Sequence, residues 1–217
     1  MQFLGHGVKQ QHDATSLVLG IGLCNGRQVV EHCKWDVARS AEGTALTFTT
    51  THDYGGQQVE IEREVALLQR TLTSKTRLTN TGSAPVALAW YPHPFFPQPE
   101  GTDELPKFSV PITIPADSEG YTIARSGWLC RKRWPWARRE NYYQAAAHGC
   151  DKPFTVLHKH PKCGLISGKI DYVPSLLPIW GNDRTISWEP HLERTVHGGQ
   201  AASWSVEYEF GWLPSSM

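Results

Sequence analysis

The apolar residues of this chain recur mainly with a period of two, which is typical of strands with one buried face. In 59–67, aliphatic residues at most odd positions alternate with glutamates at 60, 62 and 64. In 204–212, aromatic residues and valine alternate with serine and glutamate, which predicts the clearest strand of the chain. Segments 44–51, 71–80 and 86–91 are rich in β-branched or aromatic residues and predict three more strands.

Turn signals separate these predicted strands, and no segment shows a convincing helical stripe. Glycine, asparagine or aspartate mark turns at 54–56, 80–82, 181–183 and 197–199. The best helix candidate, 140–148, is short. The pattern predicts a single all-β domain over residues 1–217, an antiparallel β-sandwich. Within it, the less regular stretch 100–151 is expected to form a long functional loop system.

Composition and charge exclude several classes of function. The formal net charge is +0, so a nucleic-acid partner is disfavoured. The five cysteines are odd in number and widely spaced, unlike a disulfide framework. No apolar run approaches the ~20 residues of a membrane span, so no membrane partner is expected. The first residues lack the basic start and apolar core of a signal peptide, which favours a cytoplasmic location.

Two stretches far apart in sequence carry the candidate chemistry. Residues 91–97, Tyr-Pro-His-Pro-Phe-Phe-Pro, place His93 among prolines and aromatics directly after a predicted strand. Residues 188–190, Trp-Glu-Pro, place Glu189 shortly before the last predicted strand. One imidazole and one carboxylate are what an acid/base site without a cofactor needs.

Together these stretches resemble the aldose 1-epimerase (galactose mutarotase-like) family. That family has a His-Pro-Tyr-Phe-like motif at the first place and a Glu-Pro motif near the C-terminus. Residues 80–85, Asn-Thr-Gly-Ser-Ala-Pro, look like the family's Asn-Thr-Gly-X-X-Pro turn before the histidine strand. Residues 198–206 look like its Pro-Gly-Glu element and final strand. The match covers roughly residues 35–212.

The resemblance implies a galactose mutarotase-like sandwich that interconverts the α and β anomers of an aldose or sugar phosphate. His93 would protonate the ring oxygen and Glu189 would deprotonate the anomeric hydroxyl, without metal or organic cofactor. The alternative is a non-catalytic carbohydrate-binding protein on the same fold. Four residues are candidates to contact the sugar. The resemblance suggests Asp151, and aromatic character suggests Trp90, Phe95 and Trp188.

The start of the chain departs from the family pattern. Most relatives carry extra N-terminal strands before a His-Gly element, where an Asn-Arg pair often holds the sugar. Here His6-Gly7 comes almost at once and no Asn-Arg pair precedes it, as in an N-terminally short member. Arg63, on the apolar face of its strand, is one candidate to hold the sugar instead. The favoured alternative is that Arg63 reaches solvent along its aliphatic stem.

Two further clusters admit other hypotheses. The first is a group of histidines and cysteines that could bind zinc. The spacing of these residues matches no known zinc motif, so loop histidines and reduced cysteines are the simpler explanation. The second is the run 131–139, which interleaves cations and indoles. The favoured hypothesis for this run is a solvated loop with cation–π contacts. A sugar-phosphate site comes second, and binding of single-stranded nucleic acid comes last. The candidate zinc ligands are His148, Cys150, His158, His160 and Cys163.

Overall fold

The computed structural model describes residues 2–4, 15–25, 28–99, 101–133, 136–137 and 140–212. These described residues form no helix that is long enough and apolar enough to cross a membrane. The strands are β1 (Gln2–Leu4), β2 (Thr15–Val18), β3 (Gly22–Asn25), β4 (Gln28–His32), β5 (Asp36–Arg39), β6 (Ala45–Tyr54), β7 (Gln57–Leu68), β8 (Thr71–Asn80), β9 (Val86–Tyr91), β10 (Phe96–Pro97), β11 (Glu104–Phe108), β12 (Ile112–Thr113), β13 (Tyr121–Ile123), β14 (Trp128–Arg131), β15 (Asn141–His148), β16 (Thr155–His160), β17 (Gly164–Ile170), β18 (Leu177–Asn182), β19 (Thr185–Trp188), β20 (Leu192–Val196) and β21 (Ala201–Trp212).

The strands group into two compact units that are interleaved along the chain. The first unit comprises Met1–Leu68, Thr73–Tyr91 and Leu192–Ser205. The second comprises Gln69–Leu72, Pro92–His191 and Val206–Met217. A single domain over the whole chain therefore stays a prediction.

In the first unit, β5, β6, β7, β8 and the first residues of β21 lie side by side in that order. Two three-stranded sheets, β1–β9–β20 and β2–β3–β4, complete it. Trp90 on β9 packs against Trp204 on β21, with ring centroids 5.4 Å apart, so a large aromatic pair joins two of these sheets. Both indoles are buried, together with Ile61 and Leu78.

In the second unit, two sheets face each other across an aromatic core. One has the order β13–β14–β11–β16–β17 followed by the last residues of β21, and the other β10–β19–β18–β15–β12. Phe96 on β10 and Trp188 on β19 both lie 6.2 Å from Tyr208 on β21, measured between ring centroids. The paired strands are antiparallel throughout, which gives the sandwich arrangement predicted from the sequence.

The five strands predicted from alternation and composition are present among the 21 described strands. The predicted strands at 44–51, 59–67, 71–80, 86–91 and 204–212 are confirmed as β6, β7, β8, β9 and β21. The predicted turn at 54–56 is also confirmed. Gly55 and Gly56 have φ of 60° and 81°, as a two-residue hairpin loop requires.

Two expectations about the middle of the chain are wrong. The helix candidate 140–148 is strand β15, which pairs with β18 on one side and with β12 on the other. Its backbone groups are thus satisfied by neighbours, and Tyr142 and Tyr143 favour an extended conformation. The stretch 100–151 is not one long loop, because it contains β11 to β15.

The turn before β9 is held by one buried amide. Asn80 is 0% exposed. Its Nδ2 donates to the carbonyl oxygens of Ala84 (2.8 Å) and Val196 (2.9 Å), and its Oδ1 accepts the N–H of Gly82 (3.0 Å). This side chain therefore fixes the turn and ties it to β20.

Replacing Asn80 by alanine should lower the free energy of unfolding by about 1–3 kcal/mol, because buried backbone groups lose their partners. Urea titration followed by tryptophan fluorescence measures the change. Thr81→Ala, in the same turn but exposed, is the matched control and should change stability by less than about 0.5 kcal/mol. Equal effects of the two substitutions would contradict this role for Asn80.

Candidate active site

One face of the sheet β10–β19–β18–β15 carries a row of polar and aromatic side chains. Ser187 on β19 is the register partner of Trp180 on β18, and Trp180 is the register partner of Tyr143 on β15. Directly opposed residues of antiparallel strands project from the same face of the sheet. The row Ser187–Trp180–Tyr143 therefore crosses three strands on one side.

His93 lies over this face in the segment between β9 and β10. Its Nε2 is 3.3 Å from Oε1 of Glu189, and its Nδ1 is 3.1 Å from Oγ of Ser187. Its ring stacks on Phe95, with centroids 4.3 Å apart and an interplanar angle of 29°. Its edge approaches Trp180 at 6.3 Å. Both ring nitrogens and one ring face of the imidazole are therefore in defined contacts.

Glu189 follows β19 directly and is nearly buried. Its backbone N–H donates to the carbonyl of Pro178 at 2.8 Å, which extends the β18–β19 pairing by one residue. Burial raises the pKa of the Glu189 carboxyl to about 7, and burial lowers the pKa of His93. Just above neutral pH, the main form of the pair is thus a neutral imidazole beside a carboxylate. A carboxyl that titrates near 7 is suited to take and return protons.

Three aromatic side chains, two of them exposed, lie on the same face of the sheet as this pair. Phe95 is 59% exposed and Tyr143 is 61% exposed, whereas Trp180 is half-buried. Phe95 meets Trp180 edge-on, with ring centroids 6.0 Å apart. Large exposed aromatic side chains grouped around polar groups are typical of a binding surface, and their faces suit the C–H side of a sugar.

Two of the predicted sugar platforms lie in the core instead. Trp188 is 1% exposed and packs between Phe96 and Tyr208, since strand alternation points it away from Ser187 and Glu189. Trp90 is also 1% exposed and packs within the first unit. Neither indole has a free face for a sugar, so the structure corrects both assignments.

The structure does not bring Asp151 together with His93. Asp151 is exposed and lies between β15 and β16, beyond the end of β15 at His148. Tyr143, the residue of β15 in the aromatic row, is five positions from His148, or ~17 Å along the strand. Asp151 therefore belongs to the opposite end of β15 from the pair.

Arg63 is buried in the first unit, so the alternative that it reaches solvent is wrong. Its Nε donates to Oγ1 of Thr76 at 2.9 Å. Burial lowers the pKa of its guanidinium to about 10. A role for Arg63 in holding a sugar stays a prediction, as does any role of His6-Gly7, which lies outside the described residues.

The candidate zinc ligands do not form one cluster, although Sγ of Cys150 lies 3.2 Å from Nδ1 of His148. His158 is buried and stacks on Phe96 at 4.4 Å, and burial lowers its pKa to about 3. Nδ1 of His160 accepts the backbone N–H of Cys163 at 3.1 Å. Within the described ranges, no three histidine, cysteine or acidic side chains are grouped as metal ligands would be.

The basic run is bound to its own unit. Arg131 is 2% exposed, donates to Oε1 of Gln98 (2.7 Å) and to the carbonyl of Thr102, and lies 5.9 Å over Trp136. The expectation of a solvated loop is therefore wrong at Arg131, although the expected cation–π contact is present. Arg133 pairs with Glu140 and Tyr142. Trp134, Arg138 and Arg139 lie outside the described residues.

Sequence reasoning missed three residues of the site: Ser187, Trp180 and Tyr143. For Ser187 a signal exists, because period two in Ser187-Trp188-Glu189 puts the serine and the carboxylate on one face and the indole on the other. Trp180 and Tyr143 join the site only through the register of β15 with β18. No local pattern in the sequence specifies that register.

Comparison with known proteins supports the fold assignment. No family model matches the chain, and no curated protein matches it. Among solved structures it is similar to a galactose mutarotase-related enzyme from Lactobacillus acidophilus, with a TM-score of 0.59 and 13% identity over 82% of this chain and 71% of that one.

Two further structures agree. A candidate aldose 1-epimerase from Escherichia coli K12 gives a TM-score of 0.57 and 16% identity over 98% of this chain and 79% of that one. A galactose mutarotase-like protein from Clostridium acetobutylicum gives a TM-score of 0.56 and 12% identity over 83% of this chain and 67% of that one. At such identities the likeness shows the fold alone. The predicted all-β, galactose mutarotase-like sandwich is confirmed.

The titration of Glu189 can be measured without knowing any substrate. In protein labelled with carboxyl-¹³C glutamate, the signal that Glu189→Gln removes should titrate with a midpoint near pH 7. Because the folded state keeps this proton while the unfolded state loses it near pH 4.5, stability should fall as pH rises from 4.5 to 7. That part of the fall should be absent in Glu189→Gln. A midpoint below pH 5 would contradict the burial of this carboxyl.

Proposed function

We propose that this protein is an aldose 1-epimerase, a mutarotase that interconverts the α and β anomers of a monosaccharide with His93 and Glu189. The observation that carries the proposal is the 3.3 Å contact between Nε2 of His93 and Oε1 of Glu189 on an exposed aromatic surface. The similarity to mutarotase-related structures supports the same chemistry by fold only.

Anomer exchange places a strict demand on the positions of acid and base. The anomeric hydroxyl must lose a proton while the ring oxygen gains one. Both oxygens are bonded to the same carbon, so the two catalytic groups must act on neighbouring atoms. An imidazole nitrogen and a carboxylate oxygen 3.3 Å apart can reach both of these oxygens at once.

In the proposed reaction, the Glu189 carboxylate takes the proton of the anomeric hydroxyl. The O–H electron pair forms the aldehyde carbonyl, and the bond from C1 to the ring oxygen breaks. The ring oxygen receives the proton on Nε2 of His93, whose ring is left as an imidazolate. Glu189 then passes its proton to Nε2, which restores both groups. Rotation about C1–C2 and the reverse sequence close the ring from the other face.

The surroundings of the pair favour an unphosphorylated aldose. Phe95, Trp180 and Tyr143 present aromatic surface, which suits the C–H face of a sugar ring. Of the three described cations in the basic run, Arg131 is buried, Lys132 donates to the carbonyl of Ala116, and Arg133 is held by Glu140 and Tyr142. These three cationic groups are engaged within their own unit, which argues against a phosphate on the substrate.

Glu189→Gln should lower catalysed anomer exchange by about 10²–10⁴-fold, because the amide cannot accept the anomeric proton. Two-dimensional exchange NMR on a panel of aldoses and hexose 6-phosphates measures the rate. Glu193→Gln, which neutralises an exposed carboxylate on β20, is the matched control and should leave the rate unchanged.

The enzyme proposal would be wrong if the folded wild type bound sugar saturably but gave no anomer exchange above the uncatalysed rate. That result would favour a carbohydrate-binding protein on the same fold. Exchange that is fastest with hexose 6-phosphates would overturn the preference for unphosphorylated sugars and leave the role of the pair intact.

A further inference from the structure

The side chain of Ser187 is hydrogen-bonded to Nδ1 of His93, at 3.1 Å. Ser187 is 0% exposed, so water does not reach its hydroxyl. Within the described ranges the Ser187 side chain makes no other hydrogen bond. The direction of this one bond therefore decides whether the serine is satisfied.

A serine hydroxyl has one proton to donate and a lone pair with which to accept. If Ser187 donated to Nδ1, its only proton would be used and no buried donor would be left over. If instead Nδ1 carried a proton and donated it to Oγ, the hydroxyl proton of Ser187 would point into the core with no acceptor. A buried donor without a partner costs free energy, so the first arrangement is favoured.

The second ring nitrogen is consistent with this direction. Nε2 faces Oε1 of Glu189 at 3.3 Å, and a carboxylate can only accept. A proton on Nε2 therefore has an acceptor, whereas a lone pair on Nε2 would face the oxygen of an anion. Ser187 on one side and Glu189 on the other select the same tautomer of the neutral ring.

We infer that Ser187 is a positioning residue that donates its hydroxyl proton to Nδ1 of His93 and thereby fixes the neutral imidazole with its proton on Nε2. In the proposed function, on which this inference rests for its catalytic meaning, Nε2 gives its proton to the ring oxygen of the sugar. Ser187 thus keeps the transferable proton on the nitrogen that faces Glu189.

The same geometry accounts for a resistance to forming the imidazolium. A cationic His93 carries a proton on Nδ1 as well, so the Ser187 hydroxyl would have to turn and leave its own proton buried without an acceptor. Burial of the ring acts in the same direction and lowers the pKa of His93. The backbone carbonyl of His93 acts in the opposite sense, because it accepts from the protonated ring.

Long-range ¹H–¹⁵N spectra of protein labelled with ¹⁵N-histidine report the tautomer directly. At pH 8, the wild type should show His93 protonated on Nε2 and not on Nδ1. Ser187→Ala removes the hydroxyl that donates to Nδ1, and the backbone carbonyl of His93 can then accept from a proton there. A measurable population with the proton on Nδ1 should therefore appear, and anomer exchange should fall about tenfold.

Ser175→Ala is the control, since it removes another hydroxyl of the second unit that donates to a backbone carbonyl. It should change neither the tautomer of His93 nor the exchange rate. A wild-type His93 protonated on Nδ1 would overturn the inference, even if Ser187→Ala does not fold. So would a folded Ser187→Ala protein with an unaltered tautomer. The spectra are independent of activity, so absent exchange with the expected tautomers would count against the proposed function alone.

Discussion

The pairing of β18 with β19 is the constraint on which the candidate site depends. It places Ser187 beside Trp180 on one face and sends Trp188 into the core between Phe96 and Tyr208. Trp188 has room there because position 168 is glycine, where an added Cβ would lie 2.5 Å from the indole. With the indole anchored on one side, Ser187 and Glu189 project together on the other.

Burial then sets the chemistry of the two groups that the strands bring together. Removing water raises the pKa of the Glu189 carboxyl and lowers that of the His93 imidazole, because in each case the charged form loses hydration. A neutral imidazole beside a carboxylate is the resulting form just above neutral pH. In this form the imidazole has a proton to donate and the carboxylate can accept one, so the proposed reaction starts from the main species.

The sequence alone predicted five of the 21 described strands, the sandwich class and the two residues in contact, His93 and Glu189. These five strands were predictable because alternation and β-branched or aromatic composition are local patterns. The contact followed from a family resemblance carried by short motifs. The prediction for Trp188 was wrong because aromatic character does not show which face of a strand a residue occupies. Alternation along β19 places Trp188 on the core face. Segment 140–148 was misjudged because pairing with β12 and β18, a non-local property, makes it a strand. Trp180 and Tyr143 depend on register, which no short segment encodes.

A double-mutant cycle between His93 and Glu189, read by anomer exchange, tests the central claim most directly. If the two side chains act as one catalytic unit, His93→Asn combined with Glu189→Gln should lose hardly more activity than either substitution alone. Losses that multiply, with each substitution costing the same in the presence or absence of the other, would show independent contributions and contradict the account of a coupled pair.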